Sequence, residues 1–213
     1  MYRSVITMKK SQLTGIAIGL FCLTAFGEKS ETFSVTTTAI KPPSEVGFFS
    51  GLHSSGRIDS IYAAKEKGQD NPRSFPITWN HLSKGTKSLA LIFDDPDAKP
   101  ILALFGMKGE SFLHWTAANI DPNTNGLPDN ASKIKHLFIE GSNGAGTLGF
   151  IGPKPPSDLP KKAKKPIIHI YRFTLFALSE KVNLKDGYSQ EELKSAMKGK
   201  IIAQSELLMS YNN

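Results

Sequence analysis

Three carboxylates follow directly on an apolar run, and they are the first side chains in the sequence that suggest chemistry. Residues 89–93 read LALIF, and Asp94, Asp95, Pro96 and Asp97 come immediately after them. An apolar run of this length, with turn residues at its end, is typical of a buried strand. Asp and Pro also favour turns, because Asp tolerates turn geometry and proline fixes φ. The stretch alone is therefore consistent with either a functional acidic cluster or a solvated turn.

Two later segments carry imidazole and phenol groups. Period-two alternation in Phe112–Ile120 presents His114 on one face of a predicted strand. The same alternation in Pro166–Leu178 places His169 and Tyr171 on one face of another. A single histidine on a strand is more often a hydrogen-bonded structural residue than a ligand-binding one, so neither histidine indicates a site by itself.

The elements that must position these residues are mostly short strands. Alternating or apolar segments recur with turn residues between them, which predicts a mainly β, sandwich-like fold. A capping box at Ser189–Glu192 predicts one short helix to about Lys198. Residues 201–209 fit either a final strand or a continuing helix. The chain has 213 residues, enough for one domain, and its 39% hydrophobic and 21% charged residues exclude disorder and a multi-span membrane protein.

The first 27 residues have the pattern of a signal peptide. Arg3, Lys9 and Lys10 precede an apolar segment, Leu13–Phe26, that is too short to span a bilayer comfortably. Small residues flank Phe26, so we expect cleavage after Gly27 and a mature chain of residues 28–213.

Removal of this segment would change the chemistry available to the chain. Cys22 is the only cysteine, so the mature chain would have no disulfide and no thiolate. Lipidation of Cys22 is the alternative, although Phe21 is bulky where lipoprotein signals favour a small residue. Export without disulfides predicts a periplasmic or secreted bacterial protein. The net charge falls from +7 to +4, too little to indicate nucleic-acid binding.

A glycine-rich run at residues 144–149 matches G-x-G-x-x-G, the pattern of dinucleotide-binding sites. Such a site needs a helix directly after the glycines. Pro153, Pro155 and Pro156 exclude that helix. We interpret the glycines as positions of tight turns and close backbone contacts, and we expect no cofactor.

Several motifs, taken in order, resemble the phosphatidylethanolamine-binding protein family. They are Asp95-Pro96-Asp97-Ala98, His114-Trp115, Gly149-Phe150-Ile151-Gly152-Pro153-Lys154-Pro155-Pro156, and His169-Ile170-Tyr171-Arg172-Phe173. Each motif is only suggestive, but their order and spacing together are specific, and the bacterial, kinase-inhibitor-like branch is the most similar. The resemblance implies a single β-sandwich domain of antiparallel sheets with a few short helices, covering residues 28–213.

The resemblance also implies a small anion pocket near one end of the sandwich. The implied ligand-binding residues are two acids, two histidines, a tyrosine and a glycine-proline wall: Asp95, Asp97, His114, His169, Tyr171, Gly152, Pro153, Pro155 and Pro156. This sequence departs from the family pattern at three positions. Lys99 separates Ala98 from Pro100, Phe150 stands where a tyrosine is common, and Ile170 stands where an arginine is usual.

The residue chemistry agrees with an anion pocket. Imidazole and phenol groups donate hydrogen bonds to phosphate-type anions. Nearby carboxylates would keep the histidines protonated or fix their tautomers. We therefore expect an exported protein that binds a phosphate-bearing small molecule or a phospholipid headgroup, with kinase or protease inhibition as the output its relatives suggest.

Two alternatives use the same side chains. Two Asp and two His residues could form a divalent-metal site, but no tight ligand spacing supports one, and we predict no metal. A hydrolase would need a placed nucleophile, and no Gly-x-Ser-x-Gly elbow is present, so we do not predict an enzyme. A basic loop with Lys161, Lys162, Lys164 and Lys165 is either solvated or in contact with an anionic membrane.

Overall fold

The computed structural model describes residues 33–38, 40–41, 56–64, 73–104, 106–155 and 168–212. The predicted signal peptide, Pro156 and the four lysines of the basic loop lie outside these ranges. Within them the chain forms ten strands and two α-helices. The strands are β1 (Ser34–Thr36), β2 (Ile40–Lys41), β3 (Arg57–Ile58), β4 (Ile77–Asn80), β5 (Ser88–Asp95), β6 (Phe112–Ile120), β7 (Gly126–Leu127), β8 (Ile139–Glu140), β9 (His169–Leu178) and β10 (Ile201–Tyr211), and the helices are α1 (Lys99–Leu104) and α2 (Gln190–Met197).

The strands form two sheets. A seven-stranded sheet has the order β2-β3-β10-β9-β5-β6-β8, and a three-stranded sheet has the order β1-β4-β7. All pairings are antiparallel except the short one between β3 and β10. The predicted mainly β fold with a few short helices is confirmed.

The central strands are buried on both faces, which is why β5 has a continuous apolar sequence. One face packs against the small sheet in a core that includes Trp79, Phe93, Trp115 and Phe173. The other face is covered by α2, whose Leu193 packs into a second cluster. This double coverage fixes β5, β6 and β9 rigidly in the middle of the molecule.

Two details go beyond the sequence expectations. The connection after the acidic turn contains the short helix α1, which the sequence pattern did not indicate. Residues 201–211 continue as strand β10, paired with β9 along its length, which settles the open choice between strand and helix. No helix in the described part of the chain is long and apolar enough to cross a membrane.

Candidate functional site

Asp95 is the last residue of β5, and its side chain bonds in two directions. One carboxylate oxygen accepts a hydrogen bond from the N–H of Ala98 at 3.2 Å, which caps the short 3₁₀ turn Pro96–Ala98. The other oxygen lies 2.7 Å from Nδ1 of His169, the first residue of β9. Both side chains are almost fully buried. The start of the acidic turn is therefore buried and hydrogen-bonded to β9, and it is not a solvated loop.

Asp97 holds the same two elements together from the turn. Its Oδ2 accepts a hydrogen bond from the backbone N–H of Ile170 at 2.8 Å. The two acids of the Asp-Pro-Asp turn thus bind successive residues at the start of β9. Asp97 acts on the backbone here, whereas only Asp95 bonds to an imidazole.

His114 reaches the site because β6 bulges at this residue. Phe93 pairs with Trp115, but the next residue, Asp94, pairs with Leu113, so His114 is the extra residue of the strand. Bulges re-aim side chains next to functional sites. The His114 ring lies with its centroid 5.2 Å from that of Tyr171, and the Tyr171 centroid lies 6.3 Å from that of His169.

The hydrogen bonds fix which nitrogen of each histidine carries a proton. His114 Nδ1 lies 2.9 Å from the backbone carbonyl of Ile151. A carbonyl only accepts, so Nδ1 must be the donor, and neutral His114 presents an unprotonated Nε2. His169 Nδ1 likewise donates to the Asp95 carboxylate, which leaves its Nε2 for other contacts. The predicted carboxylate partner therefore exists for His169, while His114 has a carbonyl instead.

Burial is the largest cause of the pKa shifts of His114 and Tyr171. Desolvation lowers the pKa of His114, and the negative charge of Asp95 and the Ile151 carbonyl oppose the shift only partly. Desolvation followed by the charge of Asp95 raises the pKa of Tyr171 above its ordinary value. The Tyr171 hydroxyl is buried and has no hydrogen-bond partner of acceptable geometry among the described residues. A neutral phenol, close to the Asp95 carboxylate but without a hydrogen bond of acceptable geometry, therefore lies between the two imidazoles.

The glycine-proline segment follows directly on Ile151. A Cβ at Gly152 would lie 2.3 Å from the carbonyl oxygen of Tyr62 and 2.5 Å from the N–H of Ala64, so only glycine fits there. The carbonyl of Pro153 accepts a hydrogen bond from Ala64 at 3.0 Å. Gly152, Pro153 and Pro155 are all buried. This segment fixes the Ile151 carbonyl that orients His114.

Comparison with known proteins identifies the family. The family model described as phosphatidylethanolamine-binding protein matches residues 50–212. The chain belongs to the phosphatidylethanolamine-binding protein family.

Relatives agree in both sequence and structure. A UPF0098 protein of Methanothermobacter thermautotrophicus is 34% identical over 159 residues, which cover 73% of this chain and 91% of that protein. The crystal structure of YbcL from Escherichia coli, described as a member of the mammalian PEBP family, is 27% identical with a TM-score of 0.63 and covers 85% of this chain and 98% of YbcL. A putative homologue from Chlamydia trachomatis is 26% identical with a TM-score of 0.63 and covers 84% of this chain and 96% of that structure. The predicted bacterial branch of the family is in keeping with these similarities.

The three departures from the family pattern fall around the site. Lys99 opens α1 and forms an ion pair with Glu110 of the loop before β6, so it becomes part of the rim. Phe150 belongs to the core and stacks on Phe93 with ring centroids 6.1 Å apart. The side chain of Ile170 is buried, and only its backbone N–H contacts the site through Asp97.

Sequence reasoning missed the role of Asp94. This buried carboxylate accepts two hydrogen bonds from the Arg172 guanidinium, at 3.0 and 2.7 Å, and one from the Ser111 hydroxyl at 2.7 Å. Strand alternation already separates Asp94 from Asp95 and Arg172 from Tyr171, so this pairing could have been inferred from the two-residue period. The ion pair fastens β9 to β5 one residue away from the Asp95–His169 pair.

No group of three or more His, Cys, Asp or Glu side chains that could hold a metal ion occurs in the described ranges. Asp97 bonds to a backbone N–H, and the imidazoles have the separate partners given above. Chemically, the arrangement offers a phenol and two imidazole Nε2 atoms, each of which accepts a hydrogen bond when its ring is neutral and donates one when its ring is protonated.

Proposed function

We propose that the chain binds a phosphate-type anion, either a phosphorylated small molecule or a phospholipid headgroup, between Asp95, His114, His169 and Tyr171. The observation that carries the proposal is the buried bond from His169 Nδ1 to Asp95 at 2.7 Å, beside a buried tyrosine hydroxyl that makes no hydrogen bond of acceptable geometry with the described residues. Buried polar groups are ordinarily paired, so an unpaired donor between two imidazoles favours a ligand acceptor there.

The protonation of His114 makes the proposal more specific. Because Nδ1 donates to Ile151 and burial lowers the pKa, Nε2 of neutral His114 accepts a hydrogen bond and does not donate one. Phosphate and phosphomonoesters carry an O–H only while they keep one proton, and in that form they can donate to this nitrogen. The phosphodiester of a phospholipid headgroup has no such proton and, like sulfate, would need a protonated His114. Sulfate has no proton at neutral pH and binds only when His114 takes one from solvent. We expect phosphate to bind more tightly than sulfate near neutral pH, and the difference to shrink as the pH falls.

A histidine NMR titration tests this proposal directly. Inorganic phosphate, phosphoethanolamine and sulfate are added in turn while the ring signals of His114 and His169 are followed. Saturable shifts of both rings with phosphate, and weaker ones with sulfate, are expected. Unmoved His114 and His169 signals with all three anions would exclude the site.

Matched variants separate the site from general effects on the fold. His114→Phe keeps an aromatic ring among its aromatic neighbours and removes the ring nitrogens, so phosphate binding should be lost. His136→Asn changes an exposed histidine of positive φ to a residue that tolerates this conformation. Phosphate binding should be unchanged in that control. Equal loss in both variants would mean that the effect is not local.

The proposal extends to location and output. We propose export to the periplasm or medium, supported by the basic, apolar and small-residue pattern of residues 1–27. N-terminal sequencing of the secreted protein should begin at Glu28, and a start before Leu13 would contradict cleavage there. An exported protein meets proteases more readily than cytoplasmic kinases, so inhibition is best sought as a near-stoichiometric slowing of a protease. If the unaltered chain turned over a substrate and His169→Ala lost that activity, the protein would instead be an enzyme.

A further inference from the structure

The end of the seven-stranded sheet opposite the candidate site is rich in lysine. Three segments meet there: the turn before β5, the residues after β9, and the residues between α2 and β10. The N–H of Lys87 donates to the carbonyl of Leu178, and the N–H of Ser179 donates to the carbonyl of Lys200, both at 2.8 Å. These bonds hold the segments side by side, so lysines that are distant in sequence share one surface.

Six lysines and one acid occupy these segments, residues 84–87, 178–181 and 194–202. The lysines, which define the basic end, are Lys84, Lys87, Lys181, Lys194, Lys198 and Lys200. Five are exposed, and the sixth, Lys200, is half-buried and ion-paired with Glu180. The charge of Glu180 also acts on Lys87. One carboxylate cannot neutralise six ammonium groups, so the basic end keeps a positive potential.

Two apolar side chains are exposed among these lysines. Ile201 and Ile202 open β10 directly after Lys200, and they are 45% and 36% exposed. The same segments contain neither arginine nor an aromatic residue. Arginine forks and aromatic stacking are the usual means of recognising nucleic acids. Lysine point charges around apolar side chains instead suit an anionic lipid surface, where the charges meet headgroups and the apolar groups enter the interface.

We propose that the basic end docks on an anionic lipid bilayer. The strand geometry then sets the orientation of the protein. β5 runs from Ser88 at the basic end to Asp95 at the candidate site, and seven rises of about 3.3 Å separate the two by roughly 23 Å. A protein docked in this way presents its candidate site away from the docking bilayer, toward soluble ligands or a partner.

Vesicle binding tests the proposal. The full chain is mixed with vesicles of equal parts phosphatidylglycerol and phosphatidylcholine, or of phosphatidylcholine alone, at salt concentrations from about 20 to about 300 mM. Binding to the anionic vesicles should be strong at low salt and should fall as salt rises. Residues 1–27, with their three basic residues and the apolar segment Leu13–Phe26, are the same in all variants, so their contribution cancels when the variants are compared with one another.

A charge-matched pair of variants localises the contact. The first variant removes three charges from the basic end through Lys84→Gln, Lys181→Gln and Lys198→Gln. Each lysine near an anionic surface contributes about fivefold in affinity. At least a tenfold loss is therefore expected after screening. The control, Lys108→Gln with Lys133→Gln and Lys135→Gln, removes three exposed charges elsewhere and should bind as the unaltered chain does.

The apolar contribution has its own variant. Ile201→Thr with Ile202→Thr keeps the charge and the β-branched shape but removes apolar area, so binding to anionic vesicles should weaken. Unchanged binding would overturn the placement of these two side chains in the interface.

Three results would overturn the proposal as a whole. They are equal loss in the two lysine variants, equal binding to neutral and anionic vesicles, and binding to duplex DNA without binding to vesicles. The phosphate titration of His114 and His169 should be the same in both lysine variants. That titration therefore distinguishes failure of membrane docking from failure of the anion site.

Discussion

Replacement of Asp95 by asparagine tests whether the acid and His169 form the centre of the site. The two side chains have almost the same shape, so the change removes a charge without opening a cavity. The bond between Asp95 and His169 is 2.7 Å long and buried at both ends, and loss of such a charge-assisted bond costs about 1.5 to 3 kcal/mol. In a protein of this size about 1 kcal/mol corresponds to roughly 2–4 °C. The expected decrease in Tm is therefore about 3 to 12 °C.

The assay that is specific for this pair is the state of the His169 ring. In the unaltered chain the carboxylate keeps the proton on Nδ1, and that proton should give a slowly exchanging low-field NMR signal. Asparagine presents either an amide oxygen or an NH₂ group at this position, so the signal should move or disappear. Nitrogen chemical shifts of the ring report the same change independently.

Asp94→Asn provides the matched control on the adjacent residue. It removes the ion pair and one of the two hydrogen bonds from the Arg172 guanidinium, because asparagine keeps a single acceptor oxygen. The Arg172 side chain is 40% exposed, so solvent compensates part of the loss. We expect some loss of stability with the His169 signals unchanged. If Asp94→Asn altered the His169 ring as strongly as Asp95→Asn, or if Asp95→Asn left the ring unaltered, the assignment of the pair would be refuted.

Three further changes have calculable consequences. Gly152→Ala should destabilise the protein by about 3 kcal/mol, the upper end for overpacking, because its Cβ would lie 2.3 Å from the backbone of Tyr62; urea unfolding measures the loss, and a change below 1 kcal/mol would contradict the packing. His114 has a lowered pKa in the folded protein. It therefore contributes stability that is present above its unfolded-state pKa of about 6.5 and is lost as the pH falls. In His114→Phe, the urea midpoint of unfolding should decrease less steeply with falling pH than in the unaltered chain. Ser189→Ala breaks the capping box of α2 and should cost about 1 kcal/mol, with no change in phosphate binding.

The sequence predicted the broad fold because burial patterns are local. The continuous apolar run of β5 and the alternation of β9 follow directly from which faces are covered, and both strands were found where the pattern placed them. The helix α1 was missed because six residues that include Lys99 and Pro100 carry no helical period. The capping box of α2 was recognised, since both of its hydrogen bonds lie within four residues of sequence.

The sequence indicated which side chains lie close together at the candidate site, but not how they bond. The family resemblance implied Asp95, Asp97, His114, His169 and Tyr171, and the structure places these five residues near one another. The resemblance could not show that His114 bonds to the Ile151 carbonyl rather than to Asp95, because the bulge in β6 sets the direction of the His114 side chain. A bulge is a difference in register between two strands, so neither strand's sequence reveals it alone.

That bulge decides the protonation behaviour of the proposed anion site. An unbulged β6 would keep strict alternation and leave His114 out of the geometry that bonds it to the Ile151 carbonyl. With that bond, the neutral ring keeps its proton on Nδ1 and offers a lone pair at Nε2. On the proposal that a phosphate-type anion binds here, His169 is oriented by a carboxylate and His114 by a carbonyl. Burial disfavours the charged form of His114, so its ring must receive a proton from the ligand or from solvent before Nε2 can donate to the anion. Anion affinity should therefore be linked to proton uptake, and His114→Phe should remove the part of this linkage that His114 carries.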